Sequence, residues 1–215
     1  WQALLDPKIQ SFIAAHAGDD VKTLALKKPP EKDWPYPLIL DQIKARQKAA
    51  KKMPDWLEHV AVIFPQPDLI EQATSSACAR YKATLVSGQR FADLTGGSGM
   101  DSFALLGSFE EGIAVEHNAQ AAAILAHNAD IFGYGTRLNV KTARAEDFVQ
   151  TMPSVDLVYI DPQRRDEGAE LRGRRLSLHD LVHGLGGLTH RKGSAPDQRV
   201  DRISYHRVLL DRTDF

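Results

Sequence analysis

Three short segments of this 215-residue chain carry residues whose types and spacing could do chemistry. In the first, residues 90–102 (RFADLTGGSGMDS), a buried-strand candidate FAD-Leu94 runs into Thr95-Gly96-Gly97-Ser98-Gly99. Glycines let the backbone approach a ligand closely. The pattern Met100, Phe103, Leu105, Leu106 suits the start of a helix, and a loop before a helix N-terminus turns N–H groups toward a ligand. In the second segment, 112–118 (GIAVEHN), Glu116 stands 17 residues past Gly99 at the end of an apolar run. An acid about 20 residues on, at the end of a second strand, commonly bonds ribose hydroxyls. The plain alternative is an ordinary turn with a surface glutamate. The preceding strand, following helix and placed acid together favour a cofactor loop. In the third segment, 155–165 (VDLVYIDPQRR), Asp161-Pro162 closes a strand-like run. Proline fixes φ and has no N–H, and ligands of open α/β sheets bind at carboxyl strand ends. A carboxylate at such a rigid turn can accept hydrogen bonds from a planar amino group, which suits methyl transfer to an exocyclic base nitrogen. A helix N-cap Asp followed by Pro explains the dipeptide equally well.

Two cofactor classes fit the first two segments. Gly97-x-Gly99-x-x-Ser102 is one residue short of the dinucleotide fingerprint. The other class is S-adenosyl-L-methionine, which presents no pyrophosphate, and Asp161-Pro162 favours it.

The elements that must position these residues follow from apolar spacing. Strands are expected over 90–94, 112–115, 138–142 and 155–160. A helix over 119–132 carries a packed face at Ala121, Ile124, Leu125 and Asn128. Strands alternating with helices imply a parallel sheet with right-handed crossovers. Ahead of them, residues 1–66 read as helical, over 4–15, 20–27 and 38–52. Pro29, Pro30, Pro35 and Pro37 break the middle. Leu5, Ile9, Phe12 and Ile13 form a stripe for core packing. A further helix is expected over 70–85. The organisation expected is therefore an N-terminal helical domain over 1–66 and a Rossmann-like α/β domain over 67–215, with 163–215 poorly matched. Four strands are visible by Ile160. Beyond it, Val208-Leu209-Leu210 is the best strand candidate and 178–182 a helix turn. An unpaired edge on the fourth strand calls for a covering element or a partner.

Composition narrows the classes. With 43% hydrophobic residues the chain can bury a real core, and no apolar stretch reaches the ~20 residues of a membrane span. No signal-peptide pattern opens the sequence, and its first residue is Trp1. The single cysteine, Cys78, makes no internal disulfide and fits a reducing, cytoplasmic compartment. It lies on the helix expected over 70–85 and reads as small apolar packing. Formal charge is uneven: residues 67–162 carry 6 basic and 12 acidic side chains, while the flanking regions are net basic. That pattern is compatible with an anionic substrate. Lys44, Arg46, Lys48, Lys51 and Lys52 are the densest basic run, read first as a solvated face. Arg164 and Arg165 are better placed, after the fourth strand.

DLTGGSG, VEHN and DLVYIDP resemble motifs I, II and IV of class I S-adenosylmethionine-dependent methyltransferases. More closely, the chain is similar to a bacterial family of these enzymes with a helical N-terminal region and often a C-terminal THUMP-like domain. The features lie in 20–26, 42–52 and 71–85 (EQATSSACARYKATL), so the similarity covers about residues 10–166. The glycine loop and the Asp-Pro after the fourth strand also resemble those of ribosomal RNA guanine-N2 methyltransferases. The resemblance implies that Asp93, Thr95, Gly96, Gly97 and Gly99 hold the methionine part of the cofactor. It places Glu116 on the ribose and His117, with Asn118, beside the adenine. The third motif falls in 142–148 (TARAEDF), where Arg144 occupies the usual acidic position and Glu146 and Asp147 follow; Asp147 is the candidate there. Asp161 and Pro162 become catalytic, Arg164 and Arg165 substrate-binding, and RNA the partner. Gln163 replaces the second proline of the commoner Asp-Pro-Pro-aromatic form, so no stacking aromatic follows.

Competing readings are a non-catalytic module that kept the cofactor fold and binds RNA or a protein, and a nicotinamide-dependent oxidoreductase. His179 and His183 have i, i+4 metal spacing, but no third ligand stands nearby and Gly184, Gly186 and Gly187 argue against a firm helix, so no metal is expected. No G-x-S-x-G nucleophile elbow exists.

Overall fold

The computed structural model describes residues 1–161; the expectations for Pro162, Arg164, Arg165, His179, His183 and 208–210, and any THUMP-like domain, lie outside them. A 3₁₀ turn at Gln2–Leu5 precedes helix α1, Pro7–Ala15. The single helix expected over 4–15 is therefore broken. Pro7 has no N–H to continue the ladder, and Asp6 caps the new start by accepting the Lys8 N–H at 2.8 Å. Asp20 caps α2, Val21–Ala25, and the basic helix α3 runs Tyr36–Lys52. The helix expected over 70–85 is two: α4, Pro67–Gln72, and α5, Ser76–Thr84. Ser75 accepts the Cys78 N–H and starts α5 anew. That new start turns Cys78 to solvent, so it is exposed rather than packed.

The sheet comprises β1, Gly88–Asp93; β2, Phe109–Glu116; β3, Leu138–Thr142; and β4, Leu157–Tyr159. All pairs are parallel, in the order β3-β2-β1-β4. Helix α6, Met100–Leu105, links β1 to β2, and α7, Ala119–Ile131, links β2 to β3. Helix α8, Ala145–Val149, lies between β3 and β4. The chain steps outward from β1 through β2 to β3, then returns to the other side of β1. That reversal is the topological switch point at which open α/β sheets bind ligands.

One sheet face buries Phe91, Ala114, Leu138 and Tyr159 together with Ala79, Phe103 and Leu125; the other buries Ala92, Leu94, Ile113 and Val115 with Val149. On α7 the buried positions are Ala122, Leu125, Asn128 and Ala129, while Ala121 and Ile124 are half-buried. The N-terminal helices have a cluster of their own, including Ile9, Ile13, Leu24, Ile39 and Ile43. Leu5 and Phe12 of the expected stripe pack at its margin. The helical region also shares the main core, through Ala45, Ala49, Met53 and Trp56. Trp56 stacks on Phe103 with ring centroids 5.6 Å apart.

Between the helical region and the sheet, a turn at Val60 and Ala61 leads into a strap over residues 62–64, and the whole stretch has side-chain partners. Gln42 accepts the Phe64 N–H at 3.0 Å and donates to its carbonyl at 2.8 Å. Asn128 does the same for Ile63, at 3.0 and 2.9 Å. Arg46 donates to the carbonyls of Val60 and Val62, and His127 Nε2 lies 2.9 Å from that of Ala61. Buried backbone polar groups require partners; here amides from α3 and α7 replace a neighbouring strand.

Candidate active site at the carboxyl edge of the sheet

The glycine loop is pinned to both strands beside β1. Leu94 donates its N–H to the Tyr159 carbonyl, and Gly96 donates to the Val115 carbonyl, each at 2.9 Å. A Cβ on Gly96 would come within 3.2 Å of Leu125 and of the Val115 oxygen. Gly97 and Gly99 have φ of 51° and 88°, the left-handed region that favours glycine. Asp93, 1% exposed, faces inward. Its Oδ1 accepts the Thr95 N–H at 2.9 Å and the Thr95 hydroxyl at 3.2 Å, and its Oδ2 accepts the Ser102 hydroxyl at 2.6 Å. Burial pushes its pKa up to about 6, against the lowering effect of the Ser102 and Thr95 hydrogen bonds. Asp93 thus ties the loop to β1 and α6.

Glu116 ends β2 beside this loop. Its Oε2 accepts the Gly97 N–H at 3.2 Å and its Oε1 the Asn118 N–H at 2.8 Å. Carboxylate oxygens have lone pairs left for further donors. His117 is exposed, with Nδ1 3.1 Å from Glu116 Oε1. Asn118 spends its side-chain oxygen capping α7, accepting from Gln120 and Ala121. On the same edge, β3 pairs with β2 as far as Glu116↔Thr142, and α8 follows. Asp147 is exposed in the first turn of α8, and Arg144 at its cap pairs with Glu146 at 3.1 Å.

Asp161 follows β4 and is joined to the glycine loop: its N–H donates to Thr95 Oγ1 at 2.8 Å. Thr95 therefore bridges Asp93 and Asp161. Asp161 Oδ2 lies 3.4 Å from the Tyr159 hydroxyl and 3.7 Å from Lys82 Nζ. Lys82, on α5, also meets Asp101 Oδ1 and the Tyr159 hydroxyl, each at 2.6 Å. Burial, with Asp101, Asp161 and Asp93 nearby, holds the Tyr159 phenol above its ordinary pKa. Sequence reasoning missed Lys82, Asp101 and Tyr159. Tyr159 hides in an apolar strand, and the continuous helix drawn over 70–85 obscured which way Lys82 points. The signal available was the run Ala73-Thr74-Ser75-Ser76, whose capping residues restart the helix.

Two clefts of about 360 and 410 Å³ open where the strands begin, lined by residues such as Arg90 and Arg137 in one and Ser108 and Asp156 in the other. Neither borders the glycine loop. Among the described residues the candidate site is an open edge built from β1, β2 and β4.

Comparison with known proteins agrees with this architecture. A protein of Porphyromonas gingivalis W83 provisionally named a methyltransferase superposes with a TM-score of 0.62 at 23% identity, over 76% of this chain and 41% of that one. Its likeness shows the fold, and this chain spans about two fifths of its length. Escherichia coli YhhF, also provisionally named a methyltransferase, has a TM-score of 0.40 and 19% identity, over 51% of this chain and 56% of that one. A Pyrococcus horikoshii protein provisionally named an RNA methyltransferase has a TM-score of 0.33 and 28% identity, over 40% and 44%. No curated protein matches the sequence at a significant level. The parallel four-stranded sheet with its flanking helices resembles the Rossmann-like sheet of that Porphyromonas protein. The model of the family described as Conserved hypothetical protein 95 matches residues 58–177, more than half of the chain, and the protein belongs to that family.

Proposed function

We propose that the protein is an S-adenosyl-L-methionine-dependent methyltransferase acting on an amino nitrogen of an RNA base. The observation that carries the reading is the Thr95 bridge. It fixes Asp161, at the end of β4, to the loop that Glu116 flanks from β2. The residues present fit an adenosyl cofactor. The loop is turned by left-handed glycines, is packed closely at Gly96, and lies beside a carboxylate able to accept from ribose hydroxyls. The cofactor, when bound, supplies a methyl group on a sulfonium.

Glu116 binds and orients through its free lone pairs. Asp93 holds the loop rather than the ligand. Asp161 accepts a hydrogen bond from the substrate amino group and directs the nitrogen lone pair. Orientation of this kind contributes most of the rate, and Asp161 need not remove the proton before transfer. Arg164 and Arg165 are assigned to substrate phosphates, and Pro162 to stiffening the turn. The net basic flanks of the acidic α/β region support an anionic partner.

The test is transfer of labelled methyl to bulk RNA, with calorimetry against S-adenosylhomocysteine. Glu116→Ala should weaken binding by about 1–3 kcal/mol, because a charged acceptor is lost. Asp161→Ala should leave binding nearly intact and cut transfer on the order of 10²-fold; Asp161→Asn should be milder, since its amide oxygen still accepts. Cofactor binding without transfer to RNA or protein would make the chain a non-catalytic module. Saturable NADH binding in its place would revive the oxidoreductase reading.

A further inference from the structure

The geometry points to Lys82 as a positioning residue that selects which oxygen of Asp161 is left for the acceptor, an inference that rests on the methyltransferase reading above. Lys82 belongs to α5 and to none of the strand-end motifs. Its side chain is 13% exposed. Its ammonium lies 2.6 Å from Asp101 Oδ1, 2.6 Å from the Tyr159 hydroxyl, 3.4 Å from Thr74 Oγ1 and 3.7 Å from Asp161 Oδ2. An ammonium has three protons to donate and accepts none. Lys82 therefore donates to the Tyr159 oxygen, and the phenolic proton must point elsewhere. Two carboxylates face it: that of Asp101, which bonds the phenol, and that of Asp161, whose Oδ2 lies 3.4 Å away.

Tyr159 stays a donor, since burial and the surrounding carboxylates keep its phenol protonated. The ammonium charge, at 3.7 Å, and the phenol, at 3.4 Å, both stand on the Oδ2 side of Asp161. The backbone of the same residue is fixed independently by Thr95. Among the described residues no partner meets Oδ1, the oxygen assigned to the amino group of the substrate. Lys82 also stands between the carboxylates of Asp101 and Asp161, whose like charges would otherwise repel. The competing role is purely structural: the Lys82–Asp101 pair joins α5 to α6, and the site could be indifferent to it.

The experiment uses the full chain with Lys82→Met, Lys82→Arg and Tyr159→Phe. Lys82→Met should lower kcat on the order of 10²-fold, with KM for the methionine cofactor changed by less than about threefold. Lys82→Arg should recover part of that loss, because a guanidinium still donates at the same place. Tyr159→Phe should lower kcat by about tenfold with the Lys82–Asp101 pair kept. A Lys82→Met protein that melts earlier but keeps its kcat overturns the inference in favour of the structural role. If Lys82→Met does not fold, an unchanged kcat in Tyr159→Phe overturns it. A second readout needs no turnover. The side-chain carboxyl ¹³C signal of Asp161 should move in Lys82→Met or Tyr159→Phe and return toward its original position in Lys82→Arg. An unmoved signal overturns the inference whether or not the chain transfers methyl groups. Failure of the wild-type chain to bind S-adenosylhomocysteine overturns the methyltransferase reading alone.

Discussion

Asp93 has two fates set by pH. In the folded chain its carboxyl keeps a proton up to about pH 6, against an ordinary value of 3.8. The folded state therefore binds more protons than the unfolded chain between those values. The contribution of this group to stability is fully present below the unfolded pKa and is lost as pH rises through about 6. Asp93→Asn keeps an acceptor for Thr95 and cannot ionise. Its stability relative to wild type should improve on the order of 2 kcal/mol between pH 4.5 and 7, read by urea unfolding at each pH; a difference that does not change with pH would refute this. The positions of Asp93, Gly97, Gly99 and Glu116 were legible because backbone geometry restricts residue type there. A left-handed turn favours glycine, and an acid at a strand end has a fixed spacing from it. Lys82 was illegible because its partners lie on other elements, Asp101 on α6 and Tyr159 and Asp161 in and just after β4, and no local pattern encodes a contact across 77 residues.

At the scale of elements, β3 was readable to the residue, 138–142, since alternation between turns defines it. The fourth strand was not. Its expected start at Val155 gives way to Leu157, because Asp156 turns its carboxylate to the N–H groups of Gln89 and Arg90 at the head of β1, at 2.8 and 2.9 Å. The strap at 60–64 was equally hidden: its apolar run has no strand partner among the described residues, and the amides that serve it come from helices 22 and 65 positions away. Gln42 and Asn128 are both buried. Replacing either with Leu leaves a buried N–H and a buried carbonyl unpaired. Each should cost about 2–4 kcal/mol, from 1–3 kcal/mol for each unsatisfied group less partial relaxation. Denaturant midpoints of Gln42→Leu and Asn128→Leu measure this; a loss below about 0.5 kcal/mol in both would mean the strap is held by its apolar side chains alone.

Over the whole molecule, helices and sheet meet in one core through Trp56 and Phe103, so the glycine loop is braced from the N-terminal side as well as by its own strands. The charged face expected on α3 is partly spent inside the fold. Arg46 reaches the strap, Lys48 pairs with Glu71 and Lys52 reaches the carbonyls of Glu71 and Ala73, while Lys44 and Lys51 are exposed. The strap has a further consequence, for digestion by proteases. An extended peptide is recognised largely through its main-chain N–H and C=O groups, and cleavage concentrates at exposed loop tips. Residues 62–64 run between the turn at Val60 and Ala61 and helix α4 without helical structure, but the main chain of 60–64 is already engaged by Gln42, Arg46, His127 and Asn128. Among the described residues, proteinase K should nick first in the exposed stretch 25–28, ahead of the prolines, and leave the strap intact. In Asn128→Leu the strap itself should become a cutting site, releasing the helical region from the sheet it braces.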